Sequence, residues 1–154
     1  MLELAIAAGS KQLIAGQVAD LESEGRRIQP AQLRYIHERK TSALLRCAVR
    51  LGGMSANCTP RHLLALSRFG YSVGLAFQII DDILDVTQTS EQLGKTAGKD
   101  LTAQKATYPA ILGLEKSRRI ASQLTRRAFA ALAAFHGRAA ALEALATYLL
   151  HRNK

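Results

Sequence analysis

Phe77-Gln78-Ile79-Ile80-Asp81-Asp82-Ile83-Leu84-Asp85-Val86 is the stretch that decides how the rest of the chain is read. Three carboxylates interrupt an apolar run. A helix advances about 100° per residue, so Gln78, Asp81 and Asp85 fall on one face, with Asp82 just beside it. Ile79, Ile80, Ile83, Leu84 and Val86 cover most of the remaining circumference. A helix that is apolar nearly all round is a buried helix. Buried carboxylates are costly unless paired, hydrogen-bonded or bound to metal, so something cationic must meet this face. Hard oxygen ligands one turn apart suit Mg²⁺, which keeps several waters and binds one or two carboxylates together with substrate phosphates. Acids paired with Lys or Arg of a neighbouring helix give the same pattern, and both readings stand on these residues alone.

The surrounding composition is that of a helical globular chain. Its 154 residues make one domain or part of one. Hydrophobic residues are 48% and charged residues 21%, with only 3 Pro and no Trp, a mixture that favours helices throughout. Cys47 and Cys58 show neither a metal nor a pairing pattern, which suits free thiols of a cytoplasmic protein. No run reaches the roughly 18 consecutive apolar residues of a membrane span. The N-terminus lacks the basic flank and cleavage site of a signal peptide.

The net charge of +9 is unevenly placed. Residues 1–94 hold 10 Lys/Arg against 9 Asp/Glu, whereas residues 95–154 hold 11 against 3. The basic part therefore lies after the carboxylate stretch, a field that attracts polyanions. Nucleic acid, acidic lipid or a polyphosphorylated small molecule would each answer such a field; zinc-finger spacing, a basic zipper and an aromatic-rich RNA-binding signature are all missing, so nucleic acid is the weaker choice.

Upstream of the stretch, the apolar pattern of Leu2, Leu4, Ala5, Ala8, Leu13 and Ile14 begins without a capping residue. Helices normally announce their start, so the expectation is that upstream protein belongs to this fold. The pattern predicts one helix to about residue 23, on which Gln17 and Asp20 share a face that reads as solvated. Pro30 suits a first helical turn, and a second helix is expected over residues 31–51, ended by Gly52-Gly53. It carries His37, Lys40 and Thr41; a lone His there is more often a satisfied core or surface residue than a ligand. Thr59-Pro60 then opens a long helix to about residue 87. Gly70 and Gly74, four apart within it, form a smooth strip best explained by tight helix packing.

Downstream, Leu93-Gly94-Lys95-Thr96-Ala97-Gly98-Lys99-Asp100 reads as a loop. It lacks the complete nucleotide-loop pattern, yet its lysines can hold phosphate as point charges. A short helix interrupted near Pro109 is expected over residues 105–114, then alanine-rich helices over 116–135 and 139–151 joined at His136-Gly137.

In this order the pieces resemble a trans-polyprenyl diphosphate synthase, most of all the bacterial farnesyl diphosphate synthases. Gly74 to Asp85 matches the second aspartate-rich motif of that family, Gly16-Gln17-Val18-Ala19-Asp20-Leu21 its Gly-Gln-x-x-Asp-Leu helix, and His37-Glu38-Arg39-Lys40-Thr41 its His-x-x-Lys-Thr segment. Leu93 to Asp100, and Lys105-Ala106-Thr107-Tyr108-Pro109, match the family's loop just past its second aspartate-rich motif. The ending from Ala144 to Lys154 is similar to the farnesyl enzymes in particular. The resemblance covers nearly all of this chain but only the C-terminal half or so of a full member.

The resemblance implies an all-α, antiparallel helical bundle of the isoprenoid synthase type, incomplete at its N-terminus and usually homodimeric. It implies Mg²⁺-dependent, head-to-tail joining of an allylic diphosphate, dimethylallyl or geranyl, to isopentenyl diphosphate. It assigns metal to Asp81, Asp85 and Asp82, the allylic diphosphate to Lys40, Lys95 and Lys105, and a supporting place to Gln78. By the same analogy Gln17 and Thr41 lie near the reacting carbon. The family's first aspartate-rich motif and its Gly-Lys-x-x-Arg element have no counterpart here, and Ser42 stands where Gly is common. Two readings remain: part of a farnesyl-type synthase, or a non-catalytic diphosphate-binding or partner subunit that completes its cavity with another polypeptide.

Overall fold

The computed structural model describes residues 1–87 and 106–150. Every regular element among them is helical: α1 (Leu2–Ala8), α2 (Leu13–Ser23), α3 (Pro30–His37), a π-helical turn (Glu38–Ser42), α4 (Ala43–Ser55), α5 (Pro60–Thr87), α6 (Tyr108–Leu112), α7 (Leu114–Leu132), a 3-10 turn (Ala133–Phe135) and α8 (Ala140–Leu150). The all-α bundle is as expected.

α5 is the axis. Pro60 occupies its first position, and Thr59 Oγ1 caps it by accepting the His62 N–H at 3.3 Å. α7 and α4 pack along it more extensively than any other pair of elements. Phe69, Val73, Ala76, Ile79 and Ile83 of α5 meet Ala121, Leu124, Ala128 and Leu132 of α7 in the main core. The α7 set recurs at three and four, which keeps one stripe facing α5. Across the other side, small residues set the helix separation. A Cβ on Gly70 would lie 2.6 Å from Arg46 Cα, and one on Gly74 2.6 Å from Ser42 Cα. The glycine strip is thus a packing surface for α4 and the π-helical turn.

Three boundaries differ from expectation, and the joint at His136-Gly137 falls where expected. The first predicted helix is two, α1 and α2, broken where Gly9 adopts an extended backbone (ψ −176°). A Cβ there would sit 2.7 Å from Ala5 O. Gly52-Gly53 does not end α4, which continues to Ser55 because Gly53 is buried against Leu66 and Cys58. Pro109 does not interrupt α6; it occupies the first turn, where its missing N–H costs nothing. α7 ends through a 3-10 turn into His136 (φ 50°) and Gly137 (φ 81°), so the predicted joint is a left-handed pair.

Among the described residues, α5 is the one helix long and apolar enough to cross a membrane, with mean hydropathy 1.4 over its most apolar window. That window is 56% buried among the other helices, as befits a core helix.

Candidate functional site

Between α3 and α4 the helix widens instead of stopping. The Ala43 N–H bonds to Glu38 O, five residues back, which is the π-helical pattern. Single π turns concentrate at functional sites. Here two helices meet the turn at glycines. A Cβ on Gly16 of α2 would lie 2.3 Å from Lys40 N, and Gly74 of α5 touches Ser42 in the same way. Ser42, in place of the common Gly, is 1% exposed and satisfied: its Oγ donates to Tyr71 O at 2.9 Å.

This turn carries Lys40 and Thr41. Lys40 Nζ donates to Asp20 Oδ2 at 2.5 Å, with the Asp20 side chain 8% exposed. The face of α2 that reads as solvated in the sequence is therefore its buried face. Gly16 one turn earlier is the signal that could have shown it, since only a glycine lets α2 come this close. Thr41 Oγ1 donates to Gln78 Oε1 at 2.9 Å, joining the turn to the aspartate helix. Lys40 and Thr41 also open onto an apolar cavity of about 440 Å³, lined further by Leu44, Leu45, Phe77 and Leu149.

On α5, one turn beyond Gln78, Asp81 is half-buried and Asp85 is 6% exposed. Asp82 meets two other elements. Its Oδ2 accepts the Tyr108 N–H at 2.9 Å and lies 3.9 Å from His37 Nε2. His37 is a buried core histidine, as expected for a lone His, and packs against the Tyr108 ring at 5.4 Å. Burial pushes the Tyr108 phenol up to about 12. Neither the Asp82–Tyr108–His37 junction nor the Lys40–Asp20 pair was legible as a contact from spacing. Gln17 is half-buried on α2, three residues before Asp20. Lys95 and Lys105 lie outside the described residues.

A second polar cluster borders the turn. Arg34 bonds to Glu38 Oε1 at 2.6 Å and to the Tyr71 hydroxyl at 2.7 Å, and Tyr71 donates to the same Glu38 oxygen. Burial alone would raise the Glu38 carboxyl; the bonds from Tyr71 and Arg34 outweigh it and hold it below the ordinary value. Burial, then Glu38, raises the Tyr71 phenol.

No three His, Cys, Asp or Glu side chains converge among the described residues. Mg²⁺ needs only one or two protein carboxylates together with the oxygens of its ligand. Asp81 and Asp85, hard oxygen donors on one face of a largely apolar helix, fit such an ion.

An all-helical bundle with carboxylates, a lysine and a threonine brought to one helix joint defines a class, and comparison supplies the family. The family model described as Polyprenyl synthetase matches residues 2–145, and the chain belongs to that family. It is 48% identical over 153 residues to geranylgeranyl pyrophosphate synthase, chloroplastic, of Capsicum annuum, covering 98% of this chain and 42% of that one. It is 50% identical over 151 residues to a dimethylallyltranstransferase of Fischerella ambigua, covering 97% and 44%. The crystal structure of a geranyltransferase from Helicobacter pylori, complexed with magnesium and isoprenyl diphosphate, superposes with TM-score 0.79 at 32% identity, covering 97% of this chain and 49% of that one. The chain thus spans a little under half the length of the relatives it matches.

Proposed function

We propose that this chain carries the lysine–threonine and second-aspartate side of a Mg²⁺-dependent prenyltransferase site. Its reaction is the joining of dimethylallyl or geranyl diphosphate to isopentenyl diphosphate, the geranyl step giving farnesyl diphosphate. The observation that carries the reading is the π-helical turn, which delivers Thr41 to Gln78 one turn from Asp81 and leaves Lys40 beside an apolar cavity.

The chemistry is set by the charges. The allylic carbon–oxygen bond breaks and diphosphate leaves with the electron pair. The isopentenyl double bond attacks the resulting cation, and a proton passes to a diphosphate oxygen. Lys40 has three N–H donors, so while one holds Asp20 the others can meet phosphate oxygens. Asp20 aims that ammonium. Lys95 and Lys105 would add further charge to the same diphosphate. Mg²⁺ held by Asp81 and Asp85 would neutralise charge building on the leaving group. The hydroxyl oxygen of Thr41 and the amide oxygen of Gln17 suit the developing cation, and the apolar lining keeps water from it. No protein nucleophile is needed.

The name of the Helicobacter pylori neighbour, with its magnesium and isoprenyl diphosphate, supports the ion and the ligand class. The farnesyl product rests on the resemblance of the C-terminal run, while several relatives are named for geranylgeranyl diphosphate. A reduced, cytoplasmic setting suits the free thiols of Cys47 and Cys58. A homodimer is the expected assembly of the whole family protein.

The second reading, a diphosphate-binding subunit completed by another polypeptide, is favoured by one observation. Only one aspartate-rich motif occurs within the 154 residues. Assay of the purified chain with geranyl and isopentenyl diphosphates and Mg²⁺ separates the readings. Mg²⁺-dependent binding of geranyl diphosphate with little or no condensation is expected, and turnover should appear on adding a chain that bears the first motif. Robust condensation by the chain alone would overturn the partial-site view, and absence of any binding would overturn both.

A further inference from the structure

Asp82 stands between the carboxylates assigned above to metal, yet it is engaged elsewhere. It is 4% exposed, and three elements meet at its Oδ2: α5 by Asp82 itself, α6 by the N–H of Tyr108, and α3 by His37 Nε2. The N–H groups of a helix's first turn have no partner within the helix. Thr107 Oγ1 takes one of them, from Ala110, at 3.3 Å, and Asp82 takes another, from Tyr108, at 2.9 Å. A carboxylate accepting a buried backbone N–H makes a charge-assisted bond, stronger than a neutral one. The His37 and Tyr108 rings pack beside the junction, and Asp82, His37 and Tyr108 are all buried.

Its position in the chain gives it leverage. His37 immediately precedes the π-helical turn that carries Lys40 and Thr41, and Asp82 comes directly after Asp81. His37 Nε2, 3.9 Å from Asp82 Oδ2, brings the start of that turn beside the aspartate helix. We propose that Asp82 is a positioning residue that ties α3 and α6 to the aspartate helix and so sets the spacing between Lys40–Thr41 and Asp81–Asp85, without ligating the metal. The metal part of this inference rests on the function proposed above.

The test compares Asp82→Asn, Asp82→Leu and Asp81→Asn in the 154-residue chain. Two quantities are read: hydrogen exchange at the Tyr108 amide, and Mg²⁺-dependent binding of inorganic diphosphate by calorimetry. Asn keeps an oxygen acceptor for Tyr108, so Asp82→Asn should hold exchange and affinity within about threefold of the parent. Asp82→Leu should speed Tyr108 exchange and weaken diphosphate binding, each by about tenfold. Asp81→Asn should weaken binding and leave Tyr108 exchange unmoved. Asp82→Asn losing as much affinity as Asp81→Asn would make Asp82 a ligand and overturn the proposal, even if Asp82→Leu does not fold. Tyr108 exchange unchanged in folded Asp82→Leu would overturn it too. A parent chain that binds no diphosphate would instead sink the functional reading. Tyr108 exchange would then decide the tie by itself, faster in Asp82→Leu and slow in Asp82→Asn if it stands, equal in both if it falls.

Discussion

α2 and α5 treat polarity in opposite ways. α5 buries Phe69, Val73, Ala76 and Ile79 and admits carboxylates only near its end. α2 turns Gly16, Asp20 and Ser23 inward and leaves Ile14, Val18 and Leu21 exposed at 49%, 46% and 56%. Hydrophobicity decides the inner face of α5. Close approach to the π-helical turn and a lysine partner decide the inner face of α2. A helix can therefore be held against a site by a glycine and one ion pair while its apolar stripe points away.

The steric part of that contrast is the strongest lever. Gly16→Ala and Gly74→Ala each drive a Cβ into backbone, at 2.3 Å from Lys40 N and 2.6 Å from Ser42 Cα. Each should cost about 3 kcal/mol in urea unfolding. Gly52→Ala, whose Cβ meets nothing within 4 Å, should gain up to about 1 kcal/mol. Equal effects at all three sites would break the comparison.

The electrostatic part comes next. Lys40→Met strips the cation from a buried Asp20 and should cost about 2 kcal/mol. Adding Asp20→Leu should recover part of it, since the buried carboxylate that Lys40 serves is then gone. A double variant no better than Lys40→Met would show that the pair does not hold α2.

Smaller is the pH dependence on the α5 side. The folded chain keeps the Tyr108 proton up to about 12, against an ordinary 10.0. Its contribution is full below 10.0 and is lost as pH rises towards 12, so alkaline unfolding should be shallower in Tyr108→Phe. Arg34, Asp82, Glu38 and Tyr71 all act on that phenol, and Tyr71, also raised, adds to the same window. Glu38 works in the other direction. Its folded value is depressed, so its contribution is present above 4.5 and lost as pH falls through the depressed value. The smallest effect is on the outward stripe. Val18→Glu should change stability by less than about 0.5 kcal/mol while lowering self-association seen by light scattering.

Much of this was readable from residue order. Pro60 to Thr87 is one helix because Thr59-Pro60 announces its start and no proline breaks it. Gly70 and Gly74 read as packing glycines because their interior positions cost helix stability unless something comes close. The π-helical turn was not readable, since periodicity counts a regular helix through residues 38–42, and the close approach of α2 and α5 at Gly16 and Gly74 is made only by tertiary packing. Asp20 reads as solvated because its partner is 20 residues away, a contact that only tertiary packing makes. The resemblance counts Asp82 with the metal carboxylates, and sequence alone does not show the Tyr108 N–H that meets it.

In the proposed site, Lys40 and Asp81 serve one bound diphosphate from two helices. A double-mutant cycle of Lys40→Met and Asp81→Asn on Mg²⁺-dependent geranyl diphosphate affinity tests this most directly. Each single change should weaken binding at least about tenfold, and the pair should be non-additive by about 1 kcal/mol or more. Losses that simply add, within about 0.3 kcal/mol, or no loss from Asp81→Asn, would contradict it.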